Sequence, residues 1–311
     1  MKISVIIPVY NAEKYVSKAV ESALQFREVE EVILIEDQSP DNALMICREL
    51  SLKYDRVKLF QHPDQGNHGA GSSRNLGIEK SSSDFIAFLD ADDYFLPNRF
   101  DAERVLFKDP RIEGVFNAIG TEFLTEKGKE DFLLNINDEY LLTVNYPAEG
   151  QEVFKGLLGQ TPKKFGTFFT LDALTVRKSA LEKNKLKFNE ELRVHQDSDL
   201  IIKLAHHCHL KSGIIDQPVA IRGIHDDNRI TKIIKYTPQY NQRQSLFWNS
   251  LYQWSRKNRI DPDAKRHIFL QKKSFELSLK KGPAKATALF AAIVKDPRIL
   301  KTKYRFTYLK Q

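Results

Sequence analysis

The 311 residues can bury one large domain or one domain with an extension, and their 41% hydrophobic and 29% charged content excludes a disordered or fibrous chain. No apolar stretch approaches the roughly 20 residues of a membrane span, and the two cysteines, Cys47 and Cys208, stand in no metal-type spacing and fit a reducing compartment as buried thiols. The net charge of +7 is uneven: residues 256–311 hold 16 Lys and Arg against 4 Asp and Glu, so this tail invites an anionic partner, a membrane surface or nucleic acid.

Lys2 to Val9 reads as a buried strand. Its apolar run is too short for a signal peptide and lacks a small-residue cleavage site, so the chain is expected to stay cytoplasmic. Ala12 to Phe26 follows with helical spacing of Tyr15, Val16, Ala19, Val20 and Ala23. Glu31 to Glu36 is a second strand, and Asp41 is placed to cap a helix running to about Tyr54. Arg56 to Phe60 is a third strand, Ala70 to Lys80 a third helix, and Asp84 to Leu89 a fourth strand. Such alternation predicts an α/β fold with a mixed, mostly parallel sheet between helices. Glu113 to Thr121 and Phe168 to Val176 read as further strands, with an irregular connection from about Glu126 to Asn145. Asp197 to His207 reads as a helix, and Ser212 to Ile224 as one or two strands interrupted by Pro218. A domain over residues 1–230 is thus expected, followed by a helical, basic C-terminal extension over 231–311, broken at Gly282-Pro283 and Asp296-Pro297.

Ligands of open α/β sheets bind beyond the carboxyl ends of the strands. Three polar segments fall there: Pro8-Val9-Tyr10-Asn11, Glu36-Asp37-Gln38-Ser39 and Asp90-Ala91-Asp92-Asp93. Three carboxylates in four residues repel one another unless a cation or solvent relieves them. Mg²⁺ or Mn²⁺, which favours oxygen ligands and substrate phosphates, suits such a site. An exposed acidic turn capping the next helix is the bland alternative. Gly66 to Gly77 is glycine-rich and opens a helix whose amides favour phosphate, with Arg74 as a fork for it. Arg74 stands where a dinucleotide fingerprint wants Gly or Ala, which argues against a Rossmann dehydrogenase. His206, His207 and His209 do not face one metal from a helix and read as surface or core side chains.

Val5-Ile6-Ile7-Pro8-Val9-Tyr10-Asn11, Ile35-Glu36-Asp37-Gln38-Ser39-Pro40-Asp41, Gly71-Ser72-Ser73-Arg74-Asn75-Leu76-Gly77 and Phe88-Leu89-Asp90-Ala91-Asp92-Asp93 stand in the order that resembles the family 2 glycosyltransferases. The resemblance is strong over residues 1–110 and weaker to about 230. It implies a GT-A fold and inverting transfer of a sugar from a nucleoside diphosphate, UDP by the family's habit. Pro8, Tyr10 and Asn11 would then border the nucleotide. Asp37 would contact the base with Glu36 close by, and Arg74 would lie near the base or diphosphate. Asp90 would contact the ribose and Asp92 would be the main metal ligand. The usual Asp-Asp-Gly-Ser is altered here by Glu36 and Gln38. His195-Gln196-Asp197-Ser198-Asp199-Leu200 is similar to the family's acceptor-side Glu-Asp motif, with Gln196 in place of Glu and Asp197 as the implied catalytic base. A helix N-cap is the alternative for Asp197. His225 would complete the metal site and Arg229 would hold the diphosphate, although a lone loop histidine is more often solvated.

These residues imply a nucleotide-sugar donor, a saccharide or lipid-linked acceptor hydroxyl, and a role in bacterial-type surface polysaccharide or glycolipid synthesis. Lys272-Lys273, Lys280-Lys281, Lys301-Lys303 and Arg305 alternate with apolar residues as in an interfacial segment, which places the chain in the cytoplasm or peripherally at the inner membrane face. A solvated helical face, or a helical cap closing over the acceptor site, is the alternative, and no recognised nucleic-acid motif is present. Two other functions compete: a nucleotidyltransferase, disfavoured because Pro8-Val9-Tyr10-Asn11 occupies the place of its glycine-rich loop, and a non-catalytic binder of sugar nucleotides or anionic polymer.

Overall fold

A computed structural model of the chain describes residues 1–135, 141–166, 169–226 and 237–302. The chain divides into two compact units, Met1–Asn228 and Arg229–Gln311.

The first unit opens with β1 (Ile3–Val9), α1 (Val16–Leu24), β2 (Val29–Glu36), α2 (Ala43–Lys53), β3 (Val57–Gln61), α3 (Ala70–Lys80) and β4 (Phe85–Phe88). β5 (Tyr94–Phe95), α4 (Asp101–Leu106), β6 (Gly114–Phe116), β7 (Ala118–Phe123), α5 (Glu126–Asn135), β8 (Leu141–Leu142) and α6 (Gln151–Leu157) follow. A 3-10 turn (Leu171–Ala173) leads into β9 (Leu174–Arg177), α7 (Lys178–Lys183), α8 (Gln196–His207), β10 (Leu210–Ser212) and β11 (Pro218–Ile224). The seven-stranded sheet has the order β10-β6-β9-β4-β1-β2-β3. Its β4, β1, β2 and β3 run parallel, while β9 is antiparallel to both neighbours. A second sheet, β5-β11-β7-β8, stands beside it.

β1 reads as an unbroken apolar run because both of its faces are covered. Ile3, Val5, Ile7 and Val9 join the core with Val16, Ala19, Val20 and Ala23 of α1. On the opposite face, the missing side chain of Gly77 lets α3 settle against Ile6. The parallel register pairs Val9 with Glu36 and Ile6 with Phe88, so the carboxyl ends of β4, β1 and β2 lie side by side.

The irregular middle differs from the sequence expectation in four places. The expected strand 113–121 is two strands in different sheets, divided at buried Asn117, whose side chain bonds Glu103, Ala173 O and Ile214 N. Phe168, where a strand was expected to begin, lies outside the described residues, and the stretch up to Val176 holds a 3-10 turn from Leu171 followed by a short antiparallel strand. The connection after Glu126 contains a helix and a strand that its polar composition concealed. Pro218 begins β11 rather than interrupting it, consistent with proline's tolerance at the first residue of a strand.

The second unit holds α9 (Pro238–Lys257), α10 (Pro262–Ser278), α11 (Gly282–Lys295) and a 3-10 turn (Pro297–Lys301). Each begins with proline in its first turn, and Thr237 and Asp261 cap α9 and α10 by accepting backbone N–H bonds. Among the described residues, no helix is long and apolar enough to cross a membrane.

One buried carboxylate ties the amino end of the sheet together. Glu31, on β2, accepts from Ser4 Oγ at 2.6 Å, Ser82 N at 2.6 Å and Lys58 Nζ at 2.5 Å. Burial opposes its ionisation, yet Lys58, Ser4 and Ser82 outweigh burial and bring it down to about 2. A lowered pKa contributes stability above the unfolded value and loses it as pH falls through the folded one. Glu31→Gln is therefore expected to lower stability by about 3 kcal/mol at pH 7. Denaturant unfolding over a pH series should show the deficit shrinking as pH falls from the ordinary glutamate value of 4.5 to about 2.

Candidate active site at the carboxyl edge of the parallel strands

Past β1, Tyr10 is 48% exposed and Asn11 takes a left-handed φ of 53°. Pro8, still in β1, is half-buried. The loops after β1 and β2 are laced together: Glu13 N donates to Asp41 at 2.8 Å, and Asn42 N donates to Glu13 at 3.0 Å. Asp41 also accepts from Ala43 N, the first residue of α2, but the cap position itself falls to Asn42, one residue after the expected Asp41.

Glu36 and Asp37 are both buried, and their carboxylates have protein partners. Glu36 accepts from Ser39 N at 2.5 Å and Gln61 Nε2 at 2.6 Å. Asp37 accepts from His68 N and Gly69 N, each at 2.7 Å. Those two amides, at the mouth of α3, are thus taken by Asp37 rather than left for a phosphate. Gln38, where the family pattern has glycine, holds a φ of 58°, and its Oε1 accepts from Asn67 N at 3.1 Å. Its side chain fastens the β3–α3 loop in exchange for backbone strain of order 1 kcal/mol.

Arg74, on the second turn of α3, is buried and pairs with Asp90, its guanidinium 5.5 Å over the Phe188 ring. Burial pulls its pKa down, but Asp90, Asp197 and Asp172 together raise it. Asp90, Asp92 and Asp93 offer carboxylate oxygens that all lie within 4.8 Å of one another. Asp90 N donates to Asp172 Oδ1 at 2.8 Å, and Gly223 N donates to Asp93 Oδ1 at 2.9 Å. Burial, followed by the charge of Asp90, pushes Asp172 up to about 7. Burial, followed by Asp172, Asp92 and Asp90, likewise raises Asp93. Arg222 on β11 lies in the field of Asp93, Asp172 and Asp92, and burial outweighs them to lower its pKa. His225 is buried against Tyr15, with Nε2 3.1 Å from Asp92 Oδ2, so it is not the solvated loop residue of the bland reading.

A hard divalent cation fits this donor set. Oxygen ligands predominate, three carboxylates crowd within 4.8 Å of one another, and an imidazole adjoins Asp92. Among the described residues no other three His, Cys, Asp or Glu side chains converge in this way. His206 packs on His207 and Phe154, and His209 pairs with Glu149. Both cysteines are inert thiols, pushed up to about 12 by burial and then by nearby carboxylates.

On the opposite flank, α8 starts at Gln196 with His195 in the cap position, so Asp197 is not an N-cap. Asp197 is exposed in the first turn, while Asp199 is buried and paired with Lys203. Gln196 is buried, bonds Leu192 O and touches Gly71, where a side chain would meet its Cδ at 2.7 Å. Arg229 lies outside the described residues. Sequence reasoning missed Asp172 and Arg222 as parts of this cluster, and it counted Asp93 among the crowded carboxylates without giving it a role of its own. A lone Asp within Leu171-Asp172-Ala173-Leu174 was the available signal, since buried carboxylates seldom stand in apolar runs without a task.

Gly223 is a tight point against the acidic loop, because a side chain there would meet the backbone oxygen of Asp92 at 2.4 Å. Gly223→Ala is expected to cost about 1–3 kcal/mol of stability by overpacking. It should also weaken Mn²⁺ binding by displacing Asp92, as read by thermal unfolding and by titration with the ion.

The chain matches the family model described as Glycosyl transferase family 2 over residues 4–166, more than half its length. It is 41% identical over 102 residues to an uncharacterized glycosyltransferase of Haemophilus influenzae, covering 32% of this chain and 40% of that protein. It is 28% identical over 204 residues to the minor teichoic acid biosynthesis protein GgaB of Bacillus subtilis, covering 64% of this chain and 20% of that protein. The chain thus spans well under half the length of these curated relatives. Among solved structures, S. aureus TarS 1-349 in complex with UDP-GlcNAc superposes with a TM-score of 0.61 at 18% identity, covering 96% of this chain and 81% of that one. The mannosyltransferase PcManGT of Pyrobaculum calidifontis, in complex with GDP-Man and Mn²⁺, gives 0.54 at 14% identity, covering 98% and 82%. With its GT-A fold and the family's model running from β1 past β8, the chain belongs to glycosyl transferase family 2.

Proposed function

We propose that residues 1–228 transfer a sugar from a nucleoside diphosphate sugar, UDP-linked by preference, to an acceptor hydroxyl with inversion at the anomeric carbon. One juxtaposition carries this reading. Buried Arg74 pairs with Asp90 and also feels the charge of Asp197, so a donor-side and an acceptor-side carboxylate flank one guanidinium.

In this reading the exposed Tyr10 ring, with Pro8 and Asn11, borders the base. Asp37 shapes the base pocket through the β3–α3 loop, and Glu36 fixes the turn beneath it. Asp90, steered by Arg74, receives the ribose, and Arg229 contacts the diphosphate. Asp92 and His225 would hold Mg²⁺ or Mn²⁺, whose chemistry is charge neutralisation at the diphosphate. Asp197 takes the acceptor hydroxyl's proton as that oxygen attacks the face opposite the leaving group. The neighbours bound to UDP-GlcNAc and GDP-Man support a nucleotide-sugar donor, and GgaB supports a place in bacterial surface-polymer synthesis. A saccharide or lipid-linked acceptor follows from that setting. So does a cytoplasmic enzyme held at the inner membrane face by its basic C-terminal unit.

Calorimetry and diphosphate release with UDP-, GDP- and TDP-sugars, each with Mn²⁺, Mg²⁺ or excess chelator, test this. One nucleotide class should bind, and only with the cation. Asp197→Asn should keep donor binding while transfer falls by about 10²–10⁴-fold. Near-normal transfer by that variant would remove Asp197 as the base, and full turnover in chelator would remove the cation. No binding of any nucleotide sugar would favour the non-catalytic polyanion binder instead.

A further inference from the structure

The C-terminal unit, residues 229–311, carries 20 Lys and Arg against 4 Asp and Glu. Its helices do not present that charge evenly. Lys272 and Lys273 both pair with Glu276, and Arg298 pairs with Asp296. The exposed Lys280 and Lys281 before α11, and the exposed Lys301 after it, make no ion pair among the described residues.

Between those cations α11 has two apolar sides. Ala288, Leu289, Ala292 and Ile293 pack toward Leu277 and Ile299. Phe290 and Val294, one turn apart, are each 71% exposed, and Leu300 on the following 3-10 turn is 51% exposed. Ala286, Thr287 and Ala291 around them are small and exposed. No acidic residue occurs from Lys280 to Lys295. Isolated exposed hydrophobics are ordinary, but a helix with an exposed apolar stripe, lysines at both ends and no acid between them has the composition of an interfacial helix, and the Asp296 that follows is neutralised by Arg298.

We propose that α11 and its 3-10 turn form a membrane-docking face, with Phe290, Val294 and Leu300 entering the acyl boundary of an anionic bilayer. Lys280, Lys281, Lys295 and Lys301 meet the lipid phosphates around them. At 1.5 Å per residue the helix is only about 21 Å long, so it lies in the interface rather than spanning it. A second copy of the chain fits this face poorly, because the two lysine rims would repel. Nucleic acid fits less well, since Phe290 is the only ring among the three and Val294 and Leu300 beside it give successive bases nothing to stack on. The proposal sharpens, and rests on, the membrane-face reading above, moving it from the whole basic tail to one helix.

Flotation of the full chain with vesicles tests it, using phosphatidylcholine alone or doped with phosphatidylglycerol. The chain should float with the doped vesicles only, and salt of about 1 M, with a Debye length near 3 Å, should release it. Phe290→Glu/Val294→Glu should reduce the bound fraction about tenfold, and Lys280→Glu/Lys281→Glu should do the same. Thermal unfolding and nucleotide-sugar binding of both variants should match the parent, because every altered side chain is exposed and outside the donor site. A parent chain that stays at the bottom of the gradient overturns the proposal, as does a Phe290→Glu/Val294→Glu variant that floats like the parent. Self-association lost in that variant, without flotation of the parent, would assign the face to a second copy. Oligonucleotide binding without flotation would assign it to nucleic acid. Flotation by a chain that binds no nucleotide sugar would uphold the docking face and sink only the transferase reading.

Discussion

The site is organised around the repulsion of carboxylates gathered where three parallel strands end. Asp90, Asp92 and Asp93 stand together, with Asp172 beneath them and Asp197 on the facing helix. In a low dielectric such a group cannot ionise together without compensation. Each member is relieved differently. Arg74 answers Asp90, the amide of Gly223 answers Asp93, and His225 adjoins Asp92. Burial, together with the repulsion left uncompensated, raises the proton affinity of Asp172 and Asp93. A divalent cation is the economical remedy, and the oxygen-rich donor set suits one.

That arrangement needs a rigid floor, which a fully buried ion pair supplies. Arg99 and Glu103 are both 0% exposed and bonded at 2.6 Å. Arg99 also donates to Asp172 O at 2.8 Å and Leu174 O at 3.1 Å, holding the 3-10 turn from which the Asp172 side chain reaches Asp90 N. Asn117, at the point where the chain leaves one sheet for the other, bonds the same Glu103. Buried ion pairs are poor sources of net stability. Here the pair fixes a carboxylate under the acidic loop, so its role is one of position rather than of energy.

The first hundred residues were legible because their signals are local. Apolar runs, helical spacing and turn residues each placed an element, and the parallel sheet then brought Pro8, Glu36 and Asp90 to one edge. The middle was less legible because its determinants are distant. Nothing near Asn117 announces a change of sheet, since the reason lies in bonds to Glu103, Ala173 and Ile214. Asp172 failed to stand out because its partner, Asp90, is 82 residues away. Asp37 was legible as a site residue but not in its manner of acting. Only the fold reveals that its oxygens meet the amides of His68 and Gly69.

Charge separates the two units more sharply than the sequence total suggests. Residues 1–228 contain 28 Lys and Arg against 37 Asp and Glu, a net of −9, although the whole chain is +7. A diphosphate donor approaching that unit meets a repulsive field at long range. Attraction has to be local: Arg74 and Arg222 are few, and both stand among acids that already claim them. In the proposed transfer, a bound divalent cation would add to Arg74 and to the proposed Arg229 contact the positive charge that a diphosphate needs. The same acidic cluster that would repel a bare diphosphate is what would recruit that charge, so cation and donor binding are expected to be thermodynamically linked.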